Sequence, residues 1–152
     1  MKKRFLGAAL FLIVALGSQA QTAEDSVKAV VNSLFTAMKN ADGALLRTTF
    51  SDSAVLQTIA MTREGKTVIR NEKVEDFVKS ISSLKKESAD ERIEFASIKI
   101  DGNLASVWTP YKFYFNGNFS HCGANSFQLV RFGTEWKIQY LIDTRRRQGC
   151  EK

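Results

Sequence analysis

The chain has 152 residues, 44% of them hydrophobic and 25% charged, with a formal net charge of +6. This length and balance suit one globular domain with a real core and exclude a disordered tail or a fibrous repeat. Lys2, Lys3 and Arg4 carry three of the positive charges, so the surplus falls to about +3 without them, too little to argue for nucleic acid.

Those three residues form a basic start, and Phe5 to Gly17 is an apolar run too short for a comfortable membrane span. Ser18-Gln19-Ala20 then places small residues as a cleavage site needs, so residues 1–20 are expected to be a signal peptide. The alternative is an uncleaved anchor helix. With cleavage, residues 21–152 form one exported domain, periplasmic or secreted, with no stable membrane anchor. In an oxidising compartment Cys122 and Cys150 are expected to form a disulfide. Two cysteines and one histidine make a poor metal site, and no cofactor is expected.

Thr22 is placed to start a helix over residues 24–40, with Val27, Val30, Val31, Leu34, Phe35 and Met38 on one stripe. Asn40 to Gly43 breaks it. A short helix follows with Leu45, Leu46 and Phe50, ended by Ser51-Asp52-Ser53. Ala54–Met61 and Thr67–Ile69 read as a hairpin. Asn71 is expected to cap a third helix carrying Val74, Phe77, Val78 and Ile81 on one face. Residues 85–90 read as a solvated charged loop.

From Arg92 onward the pattern is β. Ile93 and Phe95 share one phase and Ile98 and Ile100 the other, which predicts a bulge between them. Leu104–Asn116 reads as a long strand interrupted by Pro110, which belongs at an edge or bulge. Asn116-Gly117 is a strong two-residue hairpin signal, and Gly133-Thr134 turns the last hairpin between residues 119–132 and 135–144. Helices first and a meander last imply an α+β fold, the sheet wrapped around the long helix.

Three stretches carry a family resemblance: "VVNSLFTAMKNADGALLRTTFSDSAVL" (30–56), "IDGNLASVWTPYKFYFNG" (100–117) and "SFQLVRFGTEWKIQYLIDTRR" (126–146). They resemble the opening, the turn with its long strand, and the closing hairpin of the nuclear transport factor 2-like superfamily. That superfamily has a cone-shaped fold and includes SnoaL-like cyclases and ketosteroid isomerase. The chain is most similar to its exported lumazine-binding-like bacterial branch. The resemblance implies a pocket inside the cone.

The stretch 108–125 holds six aromatic residues, the single proline and the single histidine. With two-residue loops at both hairpins, Phe115 faces Asn118, Lys112 faces His121, Trp108 faces Asn125 and Leu104 faces Leu129. On the second hairpin Phe127 faces Tyr140, Asn125 faces Ile142 and His121 faces Arg146. One face then carries Trp108, Phe127, Trp136, Tyr140, Asn125 and His121. Trp108, His121, Asn125 and Tyr140 on this face, with Tyr111 for its hydroxyl, are the candidate ligand-binding residues. Period-two aromatics are equally what a core requires.

His121 is the candidate acid/base group, with its pKa lowered by neighbouring cations; an ordinary strand-end histidine is the alternative. In this register Asp143 faces Ala124 and lies on the other side of the sheet, so no partner carboxylate is placed beside His121. The ketosteroid-isomerase-like pattern lacks an identifiable base. Asp143 and Arg145–Arg147 read either as an anion site or as a solvated tail. Three functions follow: binding of a small, partly aromatic molecule in the cone; acid/base catalysis as an isomerase, dehydratase or cyclase; or a homodimeric interaction module with a self-filled cavity.

Overall fold

A computed structural model describes residues 22–150. The expected signal peptide, residues 1–20, lies outside them. Among the described residues no helix is long and apolar enough to cross a membrane.

Helix α1 spans Ala23–Asn40, and the Thr22 side chain accepts from the Asp25 backbone N–H. This satisfies one of the donors left open at a helix start. Val27, Val31, Leu34 and Met38 are buried, the first two with 0% exposure. Helix α2 spans Gly43–Thr49, capped by Asp42. Strands β1 (Phe50–Met61) and β2 (Thr67–Glu72) form the first hairpin. Residues 50–53 are thus already strand, where the serines suggested only a helix end.

Helix α3 spans Val74–Ser82. Its cap is Lys73, which makes no side-chain cap hydrogen bond. Asn71 instead sits in β2 and accepts from Gln57 Nε2 at 2.8 Å, so cross-strand pairing has taken the side chain expected to cap. The charged loop is shorter than its composition suggested. Ser88 and Ala89 are buried, and strand β3 spans Ala89–Ile93.

Strands β4 (Ser97–Asp101), β5 (Leu104–Phe115), β6 (Asn118–Phe132) and β7 (Glu135–Thr144) complete a seven-stranded sheet. Its order is β2-β1-β7-β6-β5-β3, with β4 also on β5. All pairs are antiparallel except β1 with β7. Pro110 lies in the interior of β5, not at an edge. Its irregularity falls on the partner: β3 ends opposite Tyr111, and β4 begins opposite Trp108. That break replaces the bulge expected between Phe95 and Ile98.

The curved sheet carries α1 on one face. Phe35 meets Phe127 edge-to-face with ring centroids 6.2 Å apart, and Leu129, Trp136 and Ile138 close the same core. Aromatic and branched side chains on alternate strand positions supply most of this burial.

Candidate functional site

Two bulges decide which side chains reach the inside of this fold. On β6 the pairing shifts between Phe113–His121 and Tyr114–Phe119, leaving Ser120 as the extra residue. On β7 it shifts between Leu129–Ile138 and Gln128–Tyr140, leaving Gln139 extra. Gln139 has a reason to leave the ladder. Its Oε1 accepts from Ser51 Oγ (2.7 Å) and its Nε2 donates to the Ser53 carbonyl (3.0 Å).

Each extra residue moves the partners beyond it by one position, and a one-residue slip exchanges faces. Lys112 therefore pairs with Cys122, Trp108 with Ser126, Leu104 with Val130, and Asn125 with Asp143. Phe127 pairs with Leu141, and Cys122, not His121, bridges to Arg146. Trp108 and Tyr140 consequently leave the face expected for them. Trp108 is 46% exposed, and the Tyr140 hydroxyl donates to Gln57 Oε1 at 2.6 Å on the side away from α1. In exchange Leu141 and Asp143 turn inward.

The inner chamber has a volume of about 70 Å³. Leu34, Phe35 and Met38 from α1, Leu56 from β1 and Phe77 from α3 give it an apolar wall. Glu91, Asn125, Asp143 and Arg145 give it a polar one. Asn125 is 4% exposed; its Nδ2 donates to Glu91 Oε1 at 2.8 Å and lies 3.3 Å from Thr109 Oγ1. Asp143 is also buried. Its carboxylate accepts from the Thr58 hydroxyl and from Arg145 Nε at 2.9 Å. Arg145 Nη2 in turn donates to Thr58 Oγ1 at 3.1 Å, so three side chains lock the mouth. Thr58, Glu72 and Arg145 also border a cleft of about 640 Å³ outside it.

Glu91 is half-buried as a residue, yet its carboxyl is enclosed by protein. Burial pushes that carboxyl up to about 7, and the charge of Asp143 adds to the rise. The Asn125 hydrogen bond and Arg145 act in the opposite direction. Burial disfavours the ionised form, so a carboxyl here holds its proton unusually long.

Tyr111 is buried behind the chamber. Its hydroxyl donates to the Thr144 carbonyl at 2.9 Å and lies 3.3 Å from Asp143 Oδ2. Burial raises its pKa, and the carboxylates of Asp143 and Glu91 raise it further. Its ring fits only because residue 123 is glycine. A Cβ there would stand 1.8 Å from the Thr144 carbonyl oxygen and 2.8 Å from Tyr111 Cε1. Tyr111→Phe keeps the ring but leaves the Thr144 carbonyl short of a donor. It is expected to cost about 1–2 kcal/mol in urea unfolding, with near-native ring packing by near-ultraviolet circular dichroism.

His121 does not line the chamber. Its ring packs between Tyr111 and Phe113, at centroid distances of 5.7 and 5.0 Å. Its Nδ1 is 3.1 Å from Ser120 Oγ, and that hydroxyl is its hydrogen-bond partner among the described residues. Burial lowers its pKa and Arg145 lowers it further, Asp143 acts in the opposite direction, and Arg147 adds a smaller lowering. The cations at work are thus not the Lys112 and Arg146 that the unbulged register placed beside it.

Sequence reasoning missed Glu91 because it sat beside a stretch read as solvated loop. The available signal was the alternation Ala89, Glu91, Ile93, which places Glu91 in phase with two apolar residues.

A curved, open sheet around a long N-terminal helix, with a chamber between them, is the architecture of nuclear transport factor 2-like proteins. The model of the family described as "Putative lumazine-binding" matches residues 22–139, and the chain belongs to that family. Among solved structures it is similar to a nuclear transport factor 2-like protein of unknown function from Shewanella baltica. That protein has 17% identity and a TM-score of 0.64, covering 82% of this chain and 94% of the other. A counterpart from Methylobacillus flagellatus has 17% identity and a TM-score of 0.60, covering 81% and 91%. A cystatin-like-fold domain of unknown function from Nostoc punctiforme has 15% identity and a TM-score of 0.64, covering 83% and 78%. At such identities the likeness concerns the fold. No curated protein matches the chain.

Proposed function

We propose that the mature chain, residues 21–152, is an exported domain that binds a small, partly aromatic molecule in the cone. The observation that carries this reading is the two-sided chamber, apolar on the helix side and lined by Glu91, Asn125, Asp143 and Arg145 on the sheet side. Apolar walls with a few convergent polar groups are how small-ligand sites are built. At about 70 Å³ the chamber takes the end of a ligand, while the body lies in the adjoining cleft past Thr58, Glu72 and Arg145. Lumazine, the ligand in the family's description, is a bicyclic heteroaromatic with carbonyl oxygens and ring N–H groups. These complement Arg145 and Glu91.

The test is a fluorescence titration with lumazine, joined to native mass spectrometry of the freshly purified protein. Saturable binding or a retained small molecule, either one lost on Asn125→Leu, is expected. Neither lumazine binding nor a retained mass would favour the third reading, an interaction module whose cone is filled by its own side chains.

One observation favours the catalytic reading: a carboxyl poised near neutrality in an enclosed pocket suits a general base. In that case Glu91, not His121, is the base. Glu91→Gln would abolish turnover of an isomerase or cyclase substrate, and His121→Ala would leave it nearly intact.

A further inference from the structure

The opposite face of the sheet carries a second concavity, of about 300 Å³, beside the disulfide. Its floor is one cross-strand row. Arg92 on β3 pairs with Lys112 on β5, Lys112 pairs with Cys122 on β6, and Cys122 bridges to Arg146 in the C-terminal tail. Adjacent strands lie about 4.8 Å apart, and residues that pair directly point to the same side. Three cations therefore share one row. Glu94 is the carboxylate among the lining residues, and Cys150 closes the wall.

Like charges placed directly opposite one another destabilise a sheet. Arg92 is partly relieved, because its guanidinium pairs with Asp90 at 2.9 Å and lies over the Tyr114 ring. Lys112 and Arg146 make no ion pair among the described residues. Two cations left open on a concave surface, with a third beside them, match an oxyanion. Arginine supplies forked donors and lysine a point charge.

The tail is shaped for this arrangement. Arg145 turns into the cone to hold Asp143, while Arg146 turns to the other face. The Arg146 backbone exchanges two 2.9 Å hydrogen bonds with Cys122, and its Nε reaches the Gly149 carbonyl at 3.3 Å. That last contact exists because the chain turns at Gly149 (φ +61°) to bring Cys150 back to Cys122.

We propose that this groove is a second binding site, for a phosphate- or sulfate-type oxyanion, and that the Cys122–Cys150 disulfide is part of its wall. Occupancy is then coupled to the thiol oxidation state: losing the bond frees the Gly149 turn and with it the aim of Arg146. The site is separate from the cone chamber and does not depend on what the cone binds.

Titration calorimetry of the oxidised chain with inorganic phosphate and with sulfate, at ionic strength held constant with chloride, tests this. Saturable binding is expected. It should weaken at least tenfold in Lys112→Gln and several-fold in Cys150→Ser, and stay unchanged in the cone variant Asn125→Leu. Circular dichroism checks that each variant is folded. Heats indistinguishable from chloride, or an affinity unchanged by Lys112→Gln, would overturn the site. Loss with Lys112→Gln but not with Cys150→Ser would overturn the role of the disulfide. Phenyl phosphate distinguishes the source of the anion: tighter binding than inorganic phosphate assigns the group to a larger molecule, and equal binding assigns the free ion.

Discussion

Cys150→Ser is expected to lower the stability of the oxidised chain by about 3 kcal/mol, read as a drop in the urea midpoint at unchanged slope. The bridge joins residues 28 apart in sequence with their Cα atoms 5.7 Å apart. That separation is within the normal range, so no backbone distortion offsets its benefit. Closing a loop of this length removes conformational freedom mainly from the unfolded chain. Cys150 itself adds little to the packing of the folded state: its neighbourhood is the exposed tail, and the Cys122–Arg146 hydrogen bonds do not require it. Wild-type protein treated with a reductant should therefore unfold at nearly the same urea concentration as Cys150→Ser. If oxidised wild type and the variant unfold together, the bridge does not restrain the unfolded state. If the variant is destabilised far more, the tail carries packing that its exposure does not suggest.

The sequence made the elements legible and the site only half so. The stripe on α1 is long and repeats at helical spacing, and tertiary packing reinforces it. The two hairpin turns announce themselves, since Asn116 and Gly117 both have positive φ. The bulges carry no such mark. Ser120 and Gln139 are ordinary strand-compatible residues, and Gln139 leaves the ladder because of Ser51 and Ser53, some 86–88 positions away. No local pattern encodes that. Yet each slip exchanges faces, which is why Trp108 and Tyr140 are outside and Asp143 is inside. Asn125 points inward as expected because β6 keeps its phase, whereas Tyr111 points inward only because the slip exchanged the faces of β5. Glu91 was hidden differently. The polar run before it suggested a solvated loop, and only pairing with β5 along Ala89–Phe115 to Ile93–Tyr111 makes it a strand.

Glu91→Gln is expected to make the protein more stable at pH 8 while changing little near pH 4. Burial raises the Glu91 carboxyl from 4.5 to about 7 in the folded chain. In the unfolded chain it ionises at its ordinary value. Below about pH 4.5 it is protonated in both states and contributes no pH dependence. As pH rises from there to about 7 the folded state holds the proton that the unfolded state has released, and stability falls along that interval. Above about 7 both states are ionised and the penalty is constant. A rise of this size corresponds to about 3 kcal/mol, an upper value because the enclosure can relax and admit water. Glutamine resembles the protonated carboxyl in shape, and its Oε1 can accept the same hydrogen bond from Asn125 Nδ2. The difference in unfolding free energy between variant and wild type should therefore open between pH 4.5 and 7 and then stay flat. Taking the difference cancels titrations common to both proteins. A difference independent of pH would mean that the Glu91 carboxyl is hydrated in solution. Glu91 would then not be the near-neutral group on which the catalytic reading of the chamber depends.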